Sequence, residues 1–141
     1  MKLYLDNCCF NRPFDNQGNI RNRLETDAKL YIQSCIKDGK HDLMWSYILE
    51  YENSVNPHED RKSSIVTWKS VASKHYQETD EIKSRAADLK ALGIRTKDAL
   101  HISCAIEAEA DYFITTDDKL LNKNVDGIDI VNPIDFASYA I

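Results

Sequence analysis

The sequence predicts an α/β fold in which a central, mostly parallel sheet is covered by helices on both faces. Short apolar runs typical of buried strands alternate along the chain with longer segments in which apolar residues recur at helical spacing. Helix-capping residues and glycines stand between these segments. With 141 residues and 43% hydrophobic content, the chain can bury one core, so we expect a single domain over residues 1–141.

A long polar connection separates the first predicted strand from the first predicted helix. Lys2–Leu5 is predicted to be a short buried strand. A turn-rich loop over residues 8–22 follows, and loops of this length beside strand ends often carry function. A helix is predicted over residues 23–37, because apolar residues recur there at helical spacing and Gly39 can end it. Residues 41–45 form the second predicted strand.

The middle of the chain is predicted to be helical. Ser46 can cap a helix over residues 47–55, which ends at Asn56-Pro57. Further helices are predicted over residues 59–73 and 79–92 from the spacing of their apolar residues.

In the last third of the chain, Thr96 is expected to cap a helix that carries Asp98. Two more strands are predicted over residues 112–115 and 128–131. A final short helix is predicted to begin at Asn132-Pro133, where a capping residue precedes a proline in the first turn.

Acidic residues follow two of the predicted strands and open one predicted helix. Asp6 ends the first strand, Asp117 lies just beyond the third, and Asp98 lies in the first turn of its helix. In a parallel sheet, ligands bind beyond the carboxyl ends of the strands, where the strand order reverses. Each acid alone would be interpreted as a turn or helix-end residue. Three acids that face one crevice favour a site.

A fourth acid is expected from the helix over residues 47–55, which offers Glu50 and Glu52. The two side chains are about 200° apart around a helix, so they cannot both face one site. Glu52 lies on the same side as Ile48 and Val55, which mark the apolar sector. We therefore choose Glu52 as the inward-facing acid and interpret Glu50 as a surface residue.

Hard divalent cations such as Mg²⁺ and Mn²⁺ take oxygen ligands and leave positions open for water and substrate phosphate. Asp6, Glu52, Asp98 and Asp117 supply carboxylate oxygens from several element ends. The set predicts a metal-dependent enzyme that cleaves phosphodiester bonds. In such a site a metal-bound hydroxide can be the nucleophile, so no histidine base is required.

Two neighbouring residues are secondary candidates, each with a structural alternative. His101 follows Asp98 by one helical turn and fits a ligand or a base, although a hydrogen-bonded histidine on a half-buried helix face is the favoured interpretation. Asp118 fits a ligand in place of Asp117, although capping of a short helix over residues 119–122 is favoured.

The net charge of −5 argues against a protein that holds nucleic acid by an overall basic surface. The four proposed ligands contribute −4 of that charge, so the rest of the chain is close to neutral at −1. Four cysteines without a C-x-x-C pair are interpreted as buried or half-buried side chains rather than zinc or redox sites. No stretch is apolar enough for a membrane span or a secretory signal, so we expect a cytoplasmic protein.

At these residues the chain resembles the PIN-domain nucleases, the family of VapC-like toxin ribonucleases. The resemblance rests on the order and spacing of motifs along nearly the whole chain: the strand that ends in Asp6, Ser46 followed by Glu52, Asp98-Ala99-Leu100-His101, and the strand that leads into Thr116-Asp117. It implies a three-layer α/β/α sandwich, a Mg²⁺ or Mn²⁺ cofactor and an RNA substrate that is cut by water. It also implies an antitoxin protein as partner and Asp6, Glu52, Asp98 and Asp117 as ligands.

Two features depart from the family pattern. Asn7 stands where family members usually have threonine or serine, so an oxygen acceptor is kept and a hydroxyl is lost. The segment that follows is longer than a minimal fold requires. In this segment Arg12 is expected either to face the substrate or to pair with Asp15.

Three alternatives concern function and assembly. A phosphatase of the haloacid-dehalogenase type also opens with a strand that ends in aspartate, but it needs a second aspartate at the position of Cys8. A catalytically silent PIN-like module that binds RNA or a protein partner stays open. The aromatic residues Tyr31, Trp45, Trp68 and Tyr76 leave room for a homodimer surface.

Overall fold

The central sheet of the computed structural model, which describes residues 1–139, has five parallel strands. In chain order the strands are β1 (Lys2–Leu5), β2 (Asp42–Ser46), β3 (Lys74–Tyr76), β4 (Tyr112–Ile114) and β5 (Asp129–Val131). They lie in the order β3-β2-β1-β4-β5, so the chain moves outward on one side of β1 and then returns to its other side. The reversal of strand order between β1 and β4 creates a crevice at the carboxyl ends of these two strands.

Helices connect the strands and cover both faces, which gives the expected three-layer α/β/α architecture. In chain order they are α1 (Asn7–Asn11), α2 (Ile20–Lys37), α3 (Tyr47–Ser54), α4 (Glu59–Val71), α5 (Asp80–Ala91), α6 (Thr96–Glu107), α7 (Asp118–Leu121) and α8 (Pro133–Tyr139). Helix α5 packs along α6, and α2 packs along α8. None of the helices within residues 1–139 is long and apolar enough to cross a membrane.

The core lies on both faces of the three inner strands. Leu3 and Leu5 on β1 and Phe113 on β4 are fully buried, as are Ile102 and Ala105 on α6. Strands buried on both faces carry continuous apolar runs, and this is why β1 was recognisable from sequence. Trp45 and Trp68 are also core residues, at 2% and 8% exposure, so they are not available for the homodimer surface suggested by the sequence.

The loop predicted over residues 8–22 is largely helical. Asp6 caps α1 by accepting a hydrogen bond from the backbone N–H of Asn7 at 2.8 Å, and a short 3₁₀ helix over Arg12–Phe14 follows. Helix α2 starts at Ile20, earlier than predicted, because Asn19 provides the cap. The prediction of an extended turn-rich loop was therefore wrong, since side-chain caps support helices too short to show a hydrophobic period.

Two other boundary predictions need correction. Strand β3 was missed, because its exposed residues Lys74 and His75 carry no apolar pattern at the edge of the sheet. Thr96 does not cap α6 but is its first residue, and Arg95 occupies the cap position without a side-chain hydrogen bond. Asp98 is thus the third residue of the helix.

Candidate active site

Asp6 is fixed at the carboxyl end of β1 by bonds to the neighbouring strand. Its backbone N–H donates to the carbonyl of Ile114 at 2.9 Å, and its carboxylate accepts from the hydroxyl of Thr115 at 2.8 Å. The residue is 6% exposed. Because Thr115 lies directly after β4, these contacts hold Asp6 in the crevice where the strand order reverses.

Asp117 lies on the other side of this crevice and caps α7. Its carboxylate accepts from the backbone N–H of Lys119 at 2.9 Å, and its own N–H donates to Thr115 Oγ1 at 3.1 Å. The sequence prediction gave the capping role to Asp118, and that was wrong. Asp118 instead forms a double hydrogen bond with the guanidinium of Arg21, with both N–O distances at 2.8 Å.

Asp98 enters the same region from the first turn of α6. Burial, followed by the negative charges of Asp6 and Asp117, raises the pKa of Asp98 from its ordinary 3.8 to about 6. The nearby His101 only partly opposes this effect. The structure therefore brings these three acids close enough for two of them to hinder ionisation of the third.

Glu52 occupies the inner side of α3, and both of its carboxylate oxygens have partners. Oε1 is hydrogen-bonded to His101 Nε2, and Oε2 accepts from the side-chain amide of Asn7 at 3.3 Å. Burial opposes ionisation of Glu52, but the bond and charge of His101 lower its pKa below the usual value. Asn7 is thus in contact with a proposed ligand.

His101 is fully buried and belongs to a hydrogen-bonded chain below the acids. Its Nδ1 lies 2.7 Å from Tyr4 Oη, which lies 2.6 Å from Ser46 Oγ. Ser46 Oγ in turn accepts from the backbone N–H of Leu49 and so caps α3. We call this series, Ser46, Tyr4, His101 and Glu52, the buried polar chain. The favoured prediction for His101, a hydrogen-bonded helix residue, describes its contacts, although the burial is more complete than expected.

The protonation of His101 is linked to these acids. Burial disfavours the charged imidazole, but the hydrogen bond to Glu52 and the charges of Asp6, Glu52 and Asp98 raise the pKa of His101 above its ordinary 6.5. Its neighbours therefore favour a cation inside the protein. When the imidazole is protonated, its positive charge offsets part of the repulsion among the acids.

Glu50 points away from the acids. Its carboxylate accepts from Trp45 Nε1 at 3.0 Å and lies 3.3 Å from Lys69 Nζ. The structure therefore separates Glu50 from Glu52 as the helical angle predicts.

Arg12 pairs with several neighbouring side chains. Its guanidinium donates to Asp15 at 2.9 Å and to Thr116 Oγ1 at 2.8 Å, and its Nε lies 3.1 Å from Glu25 Oε1. The pairing with Asp15 that the sequence offered as one interpretation is present. Glu25 itself is fully buried and was not singled out from sequence, since its partners are distant along the chain.

The acids have the chemistry and charge that a divalent cation requires, but their side chains are not arranged around one point. All the donors are carboxylate oxygens, which Mg²⁺ and Mn²⁺ prefer, and the raised pKa of Asp98 is relieved by added positive charge. Among residues 1–139, no group of three or more His, Cys, Asp or Glu side chains stands ready to hold a metal ion. Metal binding would therefore require these side chains to turn toward one another.

The cysteines are all unpaired within the described residues, and only Cys8 is partly exposed. Its thiol lies 3.4 Å from both Asp6 Oδ2 and Thr115 Oγ1. Cys9, Cys35 and Cys104 are buried, as interpreted from the sequence.

Among solved structures, the fold is similar to a chain in the crystal structure of VapBC2 from Rickettsia felis bound to a DNA fragment from their promoter. The TM-score is 0.61 at 18% sequence identity, and the alignment covers 94% of this chain and 98% of that chain. The similarity confirms a VapC-like PIN fold. No protein-family model matches the sequence, and no curated protein matches it.

Proposed function

We propose that the protein is a metal-dependent endoribonuclease and the toxin of a toxin–antitoxin pair. The observation that carries the proposal is the position of three acids at the carboxyl edge of a PIN-like sheet, where Asp6 follows β1, Asp117 follows β4 and Asp98 lies in the first turn of α6. Burial and the charges of Asp6 and Asp117 raise the pKa of Asp98 at this place. A protein gains nothing in stability from crowding carboxylates in this way, whereas a site for a divalent cation requires it. The similarity in fold to a chain of VapBC2 supports the toxin assignment.

Asp6, Asp98 and Asp117 would hold Mg²⁺ or Mn²⁺ directly, and Glu52 would contribute directly or through water. A bound divalent cation would supply Lewis-acid stabilisation of the charge that develops on the scissile phosphate. Thr115 orients Asp6, and the bond from Lys119 N–H orients Asp117. These bonds hold both carboxylates at the edge of the crevice, and cation binding would still require the side chains to turn toward one another.

Glu52 is placed by His101 and Asn7 rather than by its own helix alone. Oε2 keeps only the long 3.3 Å bond to Asn7, so it is the oxygen that would accept a hydrogen bond from the attacking water. His101 and Tyr4 would act as positioning residues for this carboxylate. Asn7 would take part as a second polar contact, while Arg12 and Asp118 are held in ion pairs that stabilise the surrounding loops.

The proposed partner is an antitoxin with a basic segment. The net charge of −5 and the crowded acids favour a positively charged chain at the crevice. We place the protein in the cytoplasm, because the unpaired cysteines of the described chain suit a reducing compartment. A homodimer would be built on surfaces other than the two buried tryptophans.

The test is a cleavage assay with purified protein and a pool of structured RNAs in Mg²⁺, Mn²⁺ or EDTA. We expect cleavage in both metals, none in EDTA, and none with Asp98→Asn. Full activity of purified Asp98→Asn would rule out the metal mechanism.

A catalytically silent module that binds RNA or protein is the second candidate, and the replacement of the family's hydroxyl residue by Asn7 favours it. Calorimetric titration with Mn²⁺, taken together with the cleavage assay, separates the two candidates. Binding that depends on Asp98 without any RNA cleavage would support the silent module.

A further inference from the structure

Tyr51 and Lys97 form an exposed pair at the rim of the acid cluster. Tyr51 precedes Glu52 on α3, and Lys97 precedes Asp98 on α6. The Lys97 ammonium lies over the tyrosine ring, with Nζ 5.5 Å from the ring centroid. Tyr51 is 52% exposed, and Lys97 is exposed as well. The two helices are in contact, so the pair lies beside two of the proposed ligands, Glu52 and Asp98.

Among residues 1–139, the charge of Lys97 is not used in an ion pair. Within the described part of the chain, neither Lys97 nor the exposed Arg95 pairs with a carboxylate, whereas Arg12 and Arg21 on the other side of the acids are both paired. Burial opposes the ionisation of Glu52, and the bond and charge of His101 lower its pKa. Lys97 is close enough to add a smaller lowering. Lys97 and Arg95 thus place positive charge beside an acid cluster that would otherwise repel a polyanion.

We propose that Tyr51 and Lys97 bind one nucleotide of single-stranded RNA next to the scissile phosphate. The tyrosine ring stacks on an unpaired base, and the lysine ammonium binds the adjoining phosphate. Exposed aromatic rings with nearby cations are the common means by which proteins hold single strands, since every base has a face that can stack. The inference rests on the proposed ribonuclease function and names the contacts that select its substrate.

The charges favour RNA over a basic protein segment at this pair. A lysine-rich or arginine-rich chain would be repelled by Lys97 and Arg95, whereas phosphates are attracted. A paired duplex keeps its bases stacked inside and offers none to Tyr51. The pair therefore predicts a preference for single-stranded RNA.

The experiment measures binding and cleavage with the same substitutions. Binding of a short fluorescein-labelled oligouridylate, single-stranded or annealed to its complement, is followed by anisotropy with Mn²⁺ in the Asp98→Asn background. Steady-state kcat and KM are measured in the otherwise intact chain with the same single strand. Tyr51→Ala should weaken binding about 5-fold or more and raise KM, while Tyr51→Phe should bind normally because the ring is kept. Lys97→Gln should weaken binding and reduce the salt dependence of log Kd by about 0.7, the value for one phosphate on a single strand.

Two matched controls lie away from the acids. Tyr31 is an exposed tyrosine on α2, at 42% exposure, and Lys37 in the last turn of that helix lies over the ring of Trp68 at 4.9 Å. Tyr31→Ala and Lys37→Gln should leave Kd and KM unchanged. Thermal unfolding of each variant shows whether the fold is retained, and Lys97→Gln with its smaller salt dependence keeps the test valid if Tyr51→Ala unfolds.

The outcomes separate this inference from the proposed function. If the intact chain cleaves RNA and depends on Asp98, but Tyr51→Ala and Lys97→Gln keep Kd and KM, only the nucleotide subsite is wrong. If those variants bind RNA normally and lose a protein partner instead, the pair is a protein contact and the inference is wrong. If the intact chain neither binds nor cleaves any RNA, both proposals fail.

Discussion

His101 and Glu52 are joined by a hydrogen bond from the imidazole Nε2 to the carboxylate, and the imidazole is fully buried. The other ring nitrogen contacts Tyr4, which contacts Ser46 at the start of α3. Since Glu52 lies on that same helix, the buried polar chain fixes both the helix and the carboxylate that the helix carries. The position of Glu52 therefore depends on residues of β1, β2 and α6 as well as α3.

Glu52 and Asp98 illustrate how the fold gives two nearby acids opposite properties. Burial hinders ionisation of both, but Glu52 has a histidine partner that lowers its pKa, whereas Asp98 faces Asp6 and Asp117, which raise its pKa further. Glu52 is thus ionised without any cation, whereas a bound cation would favour the ionisation of Asp98.

The first prediction concerns the stability of Asp98→Asn in EDTA. The folded pKa of about 6 exceeds the ordinary 3.8, so ionisation destabilises the folded chain. The contribution of Asp98 to the stability of the intact protein should fall as the pH rises from 3.8 to about 6, and the full loss of stability from its ionisation should remain above that range. Asp98→Asn should therefore have the higher Tm near neutral pH, with the difference closing toward pH 3.8. Scanning calorimetry of the two proteins between pH 3.8 and neutral pH measures this difference in Tm.

Asp88→Asn is the control for this comparison, because Asp88 is exposed on α5 and its substitution should leave Tm nearly unchanged. Added Mn²⁺ should raise the Tm of the intact chain and leave that of Asp98→Asn almost unaltered, since only a cation bound to the folded state stabilises it. A lower Tm for Asp98→Asn near neutral pH would contradict the crowding of the acids.

The second prediction separates the two glutamates of α3. Glu52→Gln removes a charge that faces the acids and should weaken Mn²⁺ binding by about 10-fold or more. Glu50→Gln should leave Mn²⁺ binding nearly unchanged, because Glu50 bonds to Trp45 and Lys69 instead. Isothermal titration calorimetry of both variants measures their affinities for Mn²⁺. If Glu50→Gln weakened binding and Glu52→Gln did not, Glu50 rather than Glu52 would face the site.

Sequence reasoning located the acids because they depend on the order of elements. Once strands and helices alternate, the ends of β1 and β4 and the start of α6 must face one edge of the sheet, so Asp6, Asp98 and Asp117 could be grouped without coordinates. The helix start at Ser46 was also predictable, since a cap is formed by residues close in sequence.

Features set by contacts between distant residues could not be predicted. Asp117 and Asp118 are equally good caps in sequence, and the choice follows from Arg21, which lies far away along the chain and takes Asp118. The full burial of His101 depends in the same way on Tyr4, which lies on β1, far from α6 along the chain. Whether the acids assemble around a metal likewise stays a prediction.

The third prediction concerns Lys29, which lies on α2 with 5% exposure. Burial lowers its pKa from 10.5 to about 8, with only slight opposition from Cys9, so the charged lysine destabilises the folded chain. Near neutral pH this loss of stability is fully present. It should decline as the pH rises from about 8 to 10.5, because the folded chain releases the proton while the unfolded chain still holds it. Lys29→Met should stabilise the protein near neutral pH by up to about 3 kcal/mol, the free energy that corresponds to this shift.

Urea unfolding measures this difference, with Lys90→Met as the control because Lys90 is exposed on α5. The difference in stability between the Lys29→Met variant and the intact chain should become smaller at alkaline pH. Equal stability of the Lys29→Met variant and the intact chain near neutral pH would show that the buried ammonium is better compensated than its contact with the Phe10 ring suggests.

The fourth prediction concerns the effect of the protein on a cell. A ribonuclease with an open acid cluster would damage its host, and the proposed remedy is a bound antitoxin whose basic segment covers the cluster. Expression of the intact chain should therefore slow growth, Asp98→Asn should not, and co-expression of a small protein encoded nearby should relieve the effect. Growth curves and co-purification measure these outcomes. The complex should be stronger at low ionic strength, because a chain of net charge −5 attracts a basic partner.

Asp88→Asn is again the matched control, since it removes the same charge from an exposed position and should slow growth as the intact chain does. Equal protein levels, checked by immunoblot, exclude a difference in expression. If the intact chain is harmless at high expression and retains no partner, the toxin function is wrong. The acids would then belong to a housekeeping or silent PIN-like domain, and Mn²⁺ binding with or without RNA cleavage would decide between these two.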